Sequence, residues 1–195
     1  MKKNKKIKAL LISLMILGIC TMVSCGLHND KQEPINKEDA VFTMAKFQSN
    51  KWGAESAIKD NNLTVDNMLK YAVQDEYLQR ARCEYVENKY KEQKVLAAMM
   101  KDENIHVYRI VLLLSKYKVD IPSDKSNEYF FKFPKSLEDS YALLIKSESD
   151  SLAMYEKFLQ QPELPEEVKA IFTKQRDDSK RHLVILKENM QNKNN

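Results

Sequence analysis

From Thr64 onward the chain carries four long stretches in which core-type residues recur at alternating steps of four and three positions. A recurrence of about 3.5 residues is typical of helices that turn one face toward partner helices. The four stripes run over residues 65–90, 96–117, 137–158 and 168–185. Each stripe is interrupted near its midpoint by a carboxylate, and these are Glu76, Glu103, Glu148 and Asp178. Any fold of this chain therefore has to accommodate four acids at one depth of an otherwise apolar interior.

The helix ends and connections predict how the four helices follow one another. Thr64 is a good N-cap for the first helix, and Pro165 is well placed to open the last. The short connection at Tyr90–Lys94 favours an antiparallel pair. The connection at Lys118–Lys135 can reach about 59 Å when extended, whereas a helix of about 25 residues is about 38 Å long. This connection can therefore cross the whole fold, which gives an up-down-down-up order.

Two of the three histidines, His106 and His182, lie on the same stripes as the acids. Glu103 and His106 are a turn apart on one face of the second helix, as are Asp178 and His182 on the fourth. Buried ionised carboxylates cost several kcal/mol each unless they are compensated. Two divalent cations would cancel four carboxylates, and neutral imidazoles would supply the remaining ligands. The predicted two-metal site comprises Glu76, Glu103, His106, Glu148, Asp178 and His182.

Mixed carboxylate and imidazole ligation suits iron or manganese, and zinc also fits. The alternative is a metal-free polar network, because Arg80 and Arg109 each lie within one turn of a candidate ligand and could fold inward to neutralise a carboxylate. Cys83 and Tyr155 each follow a candidate ligand by seven residues on the same stripe. Redox roles are conceivable for both, but a buried thiol and a core tyrosine are the commoner uses.

The first 24 residues predict a secretory signal, with five lysines ahead of an apolar run of eleven residues. The run is shorter than the roughly 20 residues that a spanning helix needs. Ser24-Cys25 then resembles a bacterial lipobox, in which the cysteine becomes the lipidated N-terminus. Cys20 is the competing candidate, but Ile19 before it is bulky for the cleavage pocket. An uncleaved membrane anchor is the alternative to lipidation at Cys25.

Residues 25–62 are predicted to hold the lipid-anchored N-terminus, a linker and a short helix. The segment 26–40 is polar, shows no apolar period and contains His28, as expected of a tether. Apolar residues at positions 41–47 could form a short amphipathic helix, with Trp52-Gly53 as a break. A leading helix of this kind would pack across the end of the four long helices, which are expected to occupy residues 63–191.

Removal of the signal changes the charge balance of the chain. It takes away five of the 32 lysine and arginine residues and no acid, so 27 basic residues face 28 acidic ones and the net charge becomes −1. Nucleic-acid binding needs a concentrated positive face, so no such partner is expected. With Cys25 modified, Cys83 is left without a disulfide partner. The expected partner is a membrane, on the periplasmic or outer-membrane side of a bacterial envelope.

From about Leu69 to Met190 the chain resembles the ferritin-like superfamily and is most similar to a small bacterial branch of unknown function. The residues that carry this resemblance are Asp75-Glu76-Tyr77, Glu103-x-x-His106, Glu148 with Leu152-Ala153-Met154-Tyr155, and Ser179-x-x-His182-Leu183. The resemblance implies an all-α four-helix bundle with one long crossover and a di-iron or similar centre. Such proteins usually repeat Glu-x-x-His in the last helix, where this chain has Ser179. Asp178 is expected to substitute from the neighbouring position.

These expectations define two classes of function. The first is a lipid-anchored ferritin-like protein with a di-iron or manganese centre, acting as an oxidoreductase on dioxygen, peroxide or ferrous iron. The second is a metal-free envelope module with a structural or partner-binding role. A closed iron-storage shell is disfavoured, because a lipid tether on every subunit would crowd the cage, whereas a homodimer is compatible with either class.

Overall fold

The computed structural model describes residues 52–91, 94–129 and 134–192. Within these ranges the chain forms six helices and no strand, which confirms the predicted all-α class. The helices are α1 (Gly53–Lys59), α2 (Val65–Tyr90), α3 (Lys94–Lys116), α4 (Ser126–Tyr129), α5 (Leu137–Leu159) and α6 (Glu166–Asn192). The predicted signal, the lipidation site at Cys25, the tether and the predicted helix at 41–47 lie outside the described residues. None of the described helices combines the length and apolar character needed to cross a bilayer.

Local side-chain bonds explain where the long helices begin. The Thr64 hydroxyl accepts a hydrogen bond from the Asn67 amide at 3.2 Å, so the predicted N-cap of α2 is confirmed. At the start of α5, the Ser136 hydroxyl accepts from the Asp139 amide at 3.0 Å, and the Asp139 carboxylate accepts from the Ser136 amide at 3.2 Å. This reciprocal capping box satisfies two backbone donors that the first turn leaves free. Helix α6 begins directly after Pro165, as predicted.

Contacts between side chains determine the directions of the four long helices. Helix α2 is antiparallel to α3, through the contacts Glu76–His106 and Arg80–Asn104, and to α5, through Asp75–Ser151 and Arg82–Ser147. Helix α6 is likewise antiparallel to α3, through Asp102–His182 and Lys116–Glu167, and to α5, through Glu148–His182 and Tyr155–Phe172. Because α3 and α5 both oppose α2, they run in the same direction. The connection between them, which contains α4, therefore has to cross the length of the fold.

The short helix α1 is tied to the long helices by polar and aromatic contacts. The Ala54 amide donates to Asp75 Oδ1 of α2 at 3.2 Å. The Lys157 ammonium of α5 donates to three carbonyls at the end of α1, at 2.6 to 3.2 Å. Trp52 stacks on Tyr129 of α4, with ring centroids 4.4 Å apart. A packed helix is therefore present at Gly53–Lys59, inside the segment 25–62 in which a short helix is predicted.

The interior is divided along the helix axes into three layers. Two apolar clusters occupy the two ends of the interior. Buried polar side chains from all four long helices form a layer between these clusters. The first cluster includes Leu69, Leu114, Phe158 and Phe172. The second includes Val86, Leu96, Leu144 and Leu186. The layer between them, called the polar layer below, contains Glu76, Gln79, Glu103, His106, Glu148, Ser151, Asp178 and His182. The fold therefore isolates the predicted site residues from solvent at both ends.

The start of α1 generates a prediction about backbone conformation. Gly53 has φ +63°, and a Cβ placed there would lie 3.2 Å from Leu78 Cδ1 and 3.5 Å from Asp75 Oδ1. A Gly53→Ala variant should lose about 1–2 kcal/mol of unfolding free energy, because left-handed backbone is costly for residues with a Cβ. The measurement is urea unfolding followed by circular dichroism. The control is Glu55→Ala, a change on the same helix as Gly53. It removes an exposed ion pair with Lys146 of α5 and should change the unfolding free energy by less than about 1 kcal/mol.

Candidate metal centre

The six residues predicted to form the site are brought together by the four long helices. Helix α2 supplies Glu76, α5 supplies Glu148, α3 supplies Glu103 with His106, and α6 supplies Asp178 with His182. Every one of these side chains is buried, with at most 3% of its residue surface exposed. The carboxylate interruptions in the four stripes therefore lie at one depth, as the sequence predicts.

Five of the six residues form two overlapping groups of metal-ligand type. One group contains Glu76, Glu103 and His106, and the other contains Glu103, Glu148 and His182. Within each group, one ligand atom per residue can be chosen so that all lie within 4.8 Å of one another. Glu103 belongs to both groups. The arrangement is thus two half-sites that share one carboxylate.

Glu103 lies between the two imidazole rings. Its Oε2 is 3.2 Å from His106 Nδ1, and its Oε1 is 3.2 Å from His182 Nδ1. Burial alone would raise the pKa of the Glu103 carboxyl, but its hydrogen bonds from His106 and His182 hold that pKa below the ordinary value. The Oε1 atom is nevertheless buried without a hydrogen bond of good geometry. A buried carboxylate oxygen in this situation has spare capacity to bind a cation.

Each histidine also contacts the terminal carboxylate of its own half-site. His106 Nδ1 is 3.1 Å from Glu76 Oε2, and His182 Nδ1 is 3.0 Å from Glu148 Oε1. Burial by itself would lower the pKa of both imidazoles, but the surrounding carboxylates raise the pKa of His106 to about 11 and that of His182 to about 10. Burial raises the pKa of Glu76 to about 7 and also raises that of Glu148. The interior at this depth therefore favours positive charge.

Asp178 joins neither group. Its Oδ2 lies 3.0 Å from Nε2 of His106, on the side of the ring away from Glu103. His182 has a matching partner, since its Nε2 lies 3.1 Å from Oδ2 of Asp102. The structure thus places Asp178 behind a histidine, where a carboxylate orients the ring. The predicted role of Asp178 as a direct ligand is not supported by this placement.

A short repeat accounts for the position of Asp178. Helix α3 contains Asp102-Glu103-x-x-His106, and α6 contains Asp178-Ser179-x-x-His182. Asp178 is thereby the counterpart of Asp102, and Ser179 is the counterpart of the shared Glu103. Ser179 is buried, and its hydroxyl forms a hydrogen bond with Glu148. The two groups therefore contain three carboxylates, and the fourth predicted carboxylate, Asp178, lies behind His106.

The two arginines considered as internal counter-charges do not enter the site. Arg80 donates to the carboxylate of Asp124, at 2.5 Å, and to the side chain of Asn104. Arg109 Nη1 lies 3.9 Å from Asp178 Oδ2, at the outer side of His106. Arg80 therefore does not turn inward to neutralise a central carboxylate, whereas Arg109 lies beside Asp178, one of the six predicted residues, and approaches it from the outer side.

Three further groups next to the site form hydrogen bonds that the sequence analysis did not predict. Asp102 is one of them. It lies four residues before a histidine, as Asp178 does, and this spacing could have identified it. The Tyr155 hydroxyl donates a short hydrogen bond to Oε1 of Glu76. One residue before Glu76, Asp75 accepts from Ser151, which accepts in turn from Gln79. These bonds hold the α2 acids against α5.

Cys83 is buried, and burial together with the charges of Glu103 and Glu148 raises the pKa of its thiol well above the ordinary value. A thiol in such surroundings stays protonated and unreactive. The structural interpretation of Cys83 is thereby favoured over a redox role.

Comparison of the chain with protein-family models, with curated proteins and with solved structures finds no match. The geometry of the site is therefore the basis for inferring the function.

The hydrogen bond from Tyr155 to Glu76 can be tested through stability. Tyr155→Phe removes the donor and leaves a buried carboxyl oxygen unsatisfied, so the domain should lose about 1–3 kcal/mol of unfolding free energy. Tyr108→Phe makes the same chemical change at a position that is 62% exposed on α3, and it should change stability by less than about 0.5 kcal/mol. Equal losses in the two variants, measured by urea unfolding, would contradict the assigned hydrogen bond.

Proposed function

We propose that the two half-sites each hold one divalent metal ion and that Glu103 bridges the pair. The observation that carries this proposal is the membership of Glu103 in both groups. Oε1 of Glu103 lies near His182 but has no hydrogen bond of good geometry, which fits the same interpretation because a metal ion would satisfy it. Glu76 with His106 would complete one half-site, and Glu148 with His182 the other.

The donor set fits iron or manganese. Carboxylate oxygens and imidazole nitrogens are the ligands that these ions commonly take in proteins. Three carboxylates would offset three of the four positive charges of two divalent ions, and together with two neutral imidazoles they would not fill the coordination positions of both. Positions therefore remain for solvent and for a small substrate. A centre of this kind supplies redox chemistry towards dioxygen, peroxide or ferrous iron.

The fold agrees with assignment to the ferritin-like class. The up-down-down-up order with one long crossover is the connectivity of ferritin-like bundles. The paired Asp-x-x-x-His elements on α3 and α6 give the interior an approximate two-fold character, which is compatible with a pair of ions. We therefore propose a ferritin-like metalloprotein that acts as an oxidoreductase, with its ligands contributed by all four long helices.

The chain's own residues prepare the site in three ways. Tyr155 and Ser179 fix the two terminal carboxylates by hydrogen bonds. Asp178 and Asp102 hold the outer nitrogens of the two histidines. The two apolar clusters exclude bulk water from both ends of the polar layer, which strengthens electrostatic interactions inside it.

A metal-free structural module is the second candidate function. The observation in its favour is that each imidazole already contacts two carboxylates of the polar layer through Nδ1. Protonated histidines could neutralise the layer in this form without a metal ion. Metal binding by the purified domain separates the two candidates.

The shared position of Glu103 gives a prediction about stoichiometry. When loaded anaerobically with ferrous iron or manganese, the native domain should bind about two ions per chain. Glu103→Gln should lose both ions, whereas Glu76→Gln and Glu148→Gln should each lose one, because each belongs to a single group. Elemental analysis after gel filtration measures the bound metal. Melting adds a second measure, since a ligand at one hundred times its Kd stabilises the folded state by about 2.7 kcal/mol.

Glu156→Gln serves as the matched control, because Glu156 lies on α5 beside an exposed lysine, Lys180, and outside the polar layer. This variant should bind two ions and melt like the native domain. A native domain that binds no metal and shows no rise in melting temperature with iron or manganese would leave the structural module as the function.

We also propose that the chain is attached to a bacterial envelope membrane through a lipid on Cys25. The support is the sequence of the first 25 residues, with its basic start, short apolar run and Ser24-Cys25. Cys25→Ser should release the protein from the membrane fraction in cells while leaving the domain folded, since the described core begins at Trp52. Cys20→Ser is the control and should leave the protein in the membrane fraction. Mass spectrometry that finds an unmodified Cys25 would contradict the proposal.

A further inference from the structure

The outer sides of the two histidines are connected to each other across α3 and α6. Asp178 belongs to α6 but contacts His106 of α3, and Asp102 belongs to α3 but contacts His182 of α6. Each acid therefore fixes the histidine of the opposite helix. The two acid–histidine pairs cross between the same two helices.

A single guanidinium joins these two pairs. Arg181 Nη1 lies 2.5 Å from Asp178 Oδ1, and Arg181 Nη2 lies 2.7 Å from Asp102 Oδ2. Among the described residues, the other cations near these acids contact only one of the two acids. Lys174 and Arg109 contact Asp178 and not Asp102. Arg181 is thus the cation that touches both acids.

We propose that Arg181 is a positioning residue that couples the two half-sites, by holding both outer carboxylates so that both histidines present Nδ1 to the centre. This inference rests on the proposed metal function. A carboxylate on Nε2 keeps the ring proton there, which leaves the Nδ1 lone pair for a metal ion and fixes the ring plane. The planar fork of arginine can hold two carboxylates at once, whereas the ammonium of lysine acts as a point charge.

A cation that contacts both acids has a consequence that a cation in contact with only one acid does not have. Loss of Arg181 removes one cation contact from Asp178 and one from Asp102 at the same time, so the orientation of both histidines is weakened, although Lys174 still contacts Asp178. Outer partners of metal ligands typically change metal affinity by about 10–100-fold. Arg181→Gln should therefore weaken both ions by about tenfold or more, whereas Lys174→Gln should weaken only the ion held by His106.

The experiment uses the purified domain titrated anaerobically with Mn(II), and then loaded with Co(II) for proton NMR. In the Co(II) form, each metal-bound histidine should give one strongly shifted, exchangeable N–H resonance, because a carboxylate protects that proton. Asp178→Asn and Asp102→Asn assign the two resonances. Arg181→Gln should accelerate the solvent exchange of both protons, and Lys174→Gln should affect only the His106 proton. A role limited to stability would not change exchange at these two protons selectively.

Two controls distinguish positioning from charge. Arg176→Gln removes a cation of α6 that pairs with the exposed Asp177, and it should leave both affinities and both resonances unchanged. Arg181→Lys keeps the charge but not the fork, so it should restore at most one half-site. Full recovery of both half-sites in Arg181→Lys, or loss of only one ion in Arg181→Gln, would overturn the coupling. A native domain that binds no metal would instead contradict the proposed function.

Discussion

The buried carboxylate of Glu103 is the constraint on which the rest of the interior depends. A lone ionised acid at this depth would cost several kcal/mol, so the fold has to surround it with positive charge. Two histidines from different helices provide that charge, through contacts of 3.2 Å on either side. The two apolar clusters can then close over both ends of the polar layer. The packing of the four long helices therefore depends on compensating the charge of Glu103.

The repeat on α3 and α6 gives the site its approximate symmetry, and two substitutions break it. Ser179 stands where a second shared carboxylate would be, and its hydroxyl binds Glu148. Seven residues after Glu148 lies Tyr155, which donates to Glu76, whereas the corresponding position after Glu76 is the protonated thiol Cys83. The two half-sites therefore have the same ligand types but different neighbours. We expect two ions bound there to differ in affinity for this reason.

The support for the site extends beyond its ligands. Asp75, the neighbour of Glu76, accepts hydrogen bonds from Ser151 of α5 and from the Ala54 amide of α1. The short leading helix is thereby attached to the same turn of α2 that carries Glu76. On the far side of the site, Arg181 and Lys174 hold the acids behind the histidines. The long helices thus position both the candidate ligands and the groups that orient them, as a precise metal site would require.

The sequence by itself determined the all-α class, the helix starts at Val65 and Glu166, and the depth at which six polar residues are buried. It could do so because helical periodicity and capping depend on residues close to one another in the chain. Only the tertiary structure decided that Arg80 turns outward and that α1 belongs to the core. It also decided that Asp178 lies behind His106 and not at the centre. Adjacent residues on a helix point about 100° apart, and which of them reaches a partner depends on the neighbouring helix, whose exact rotation no local pattern specifies.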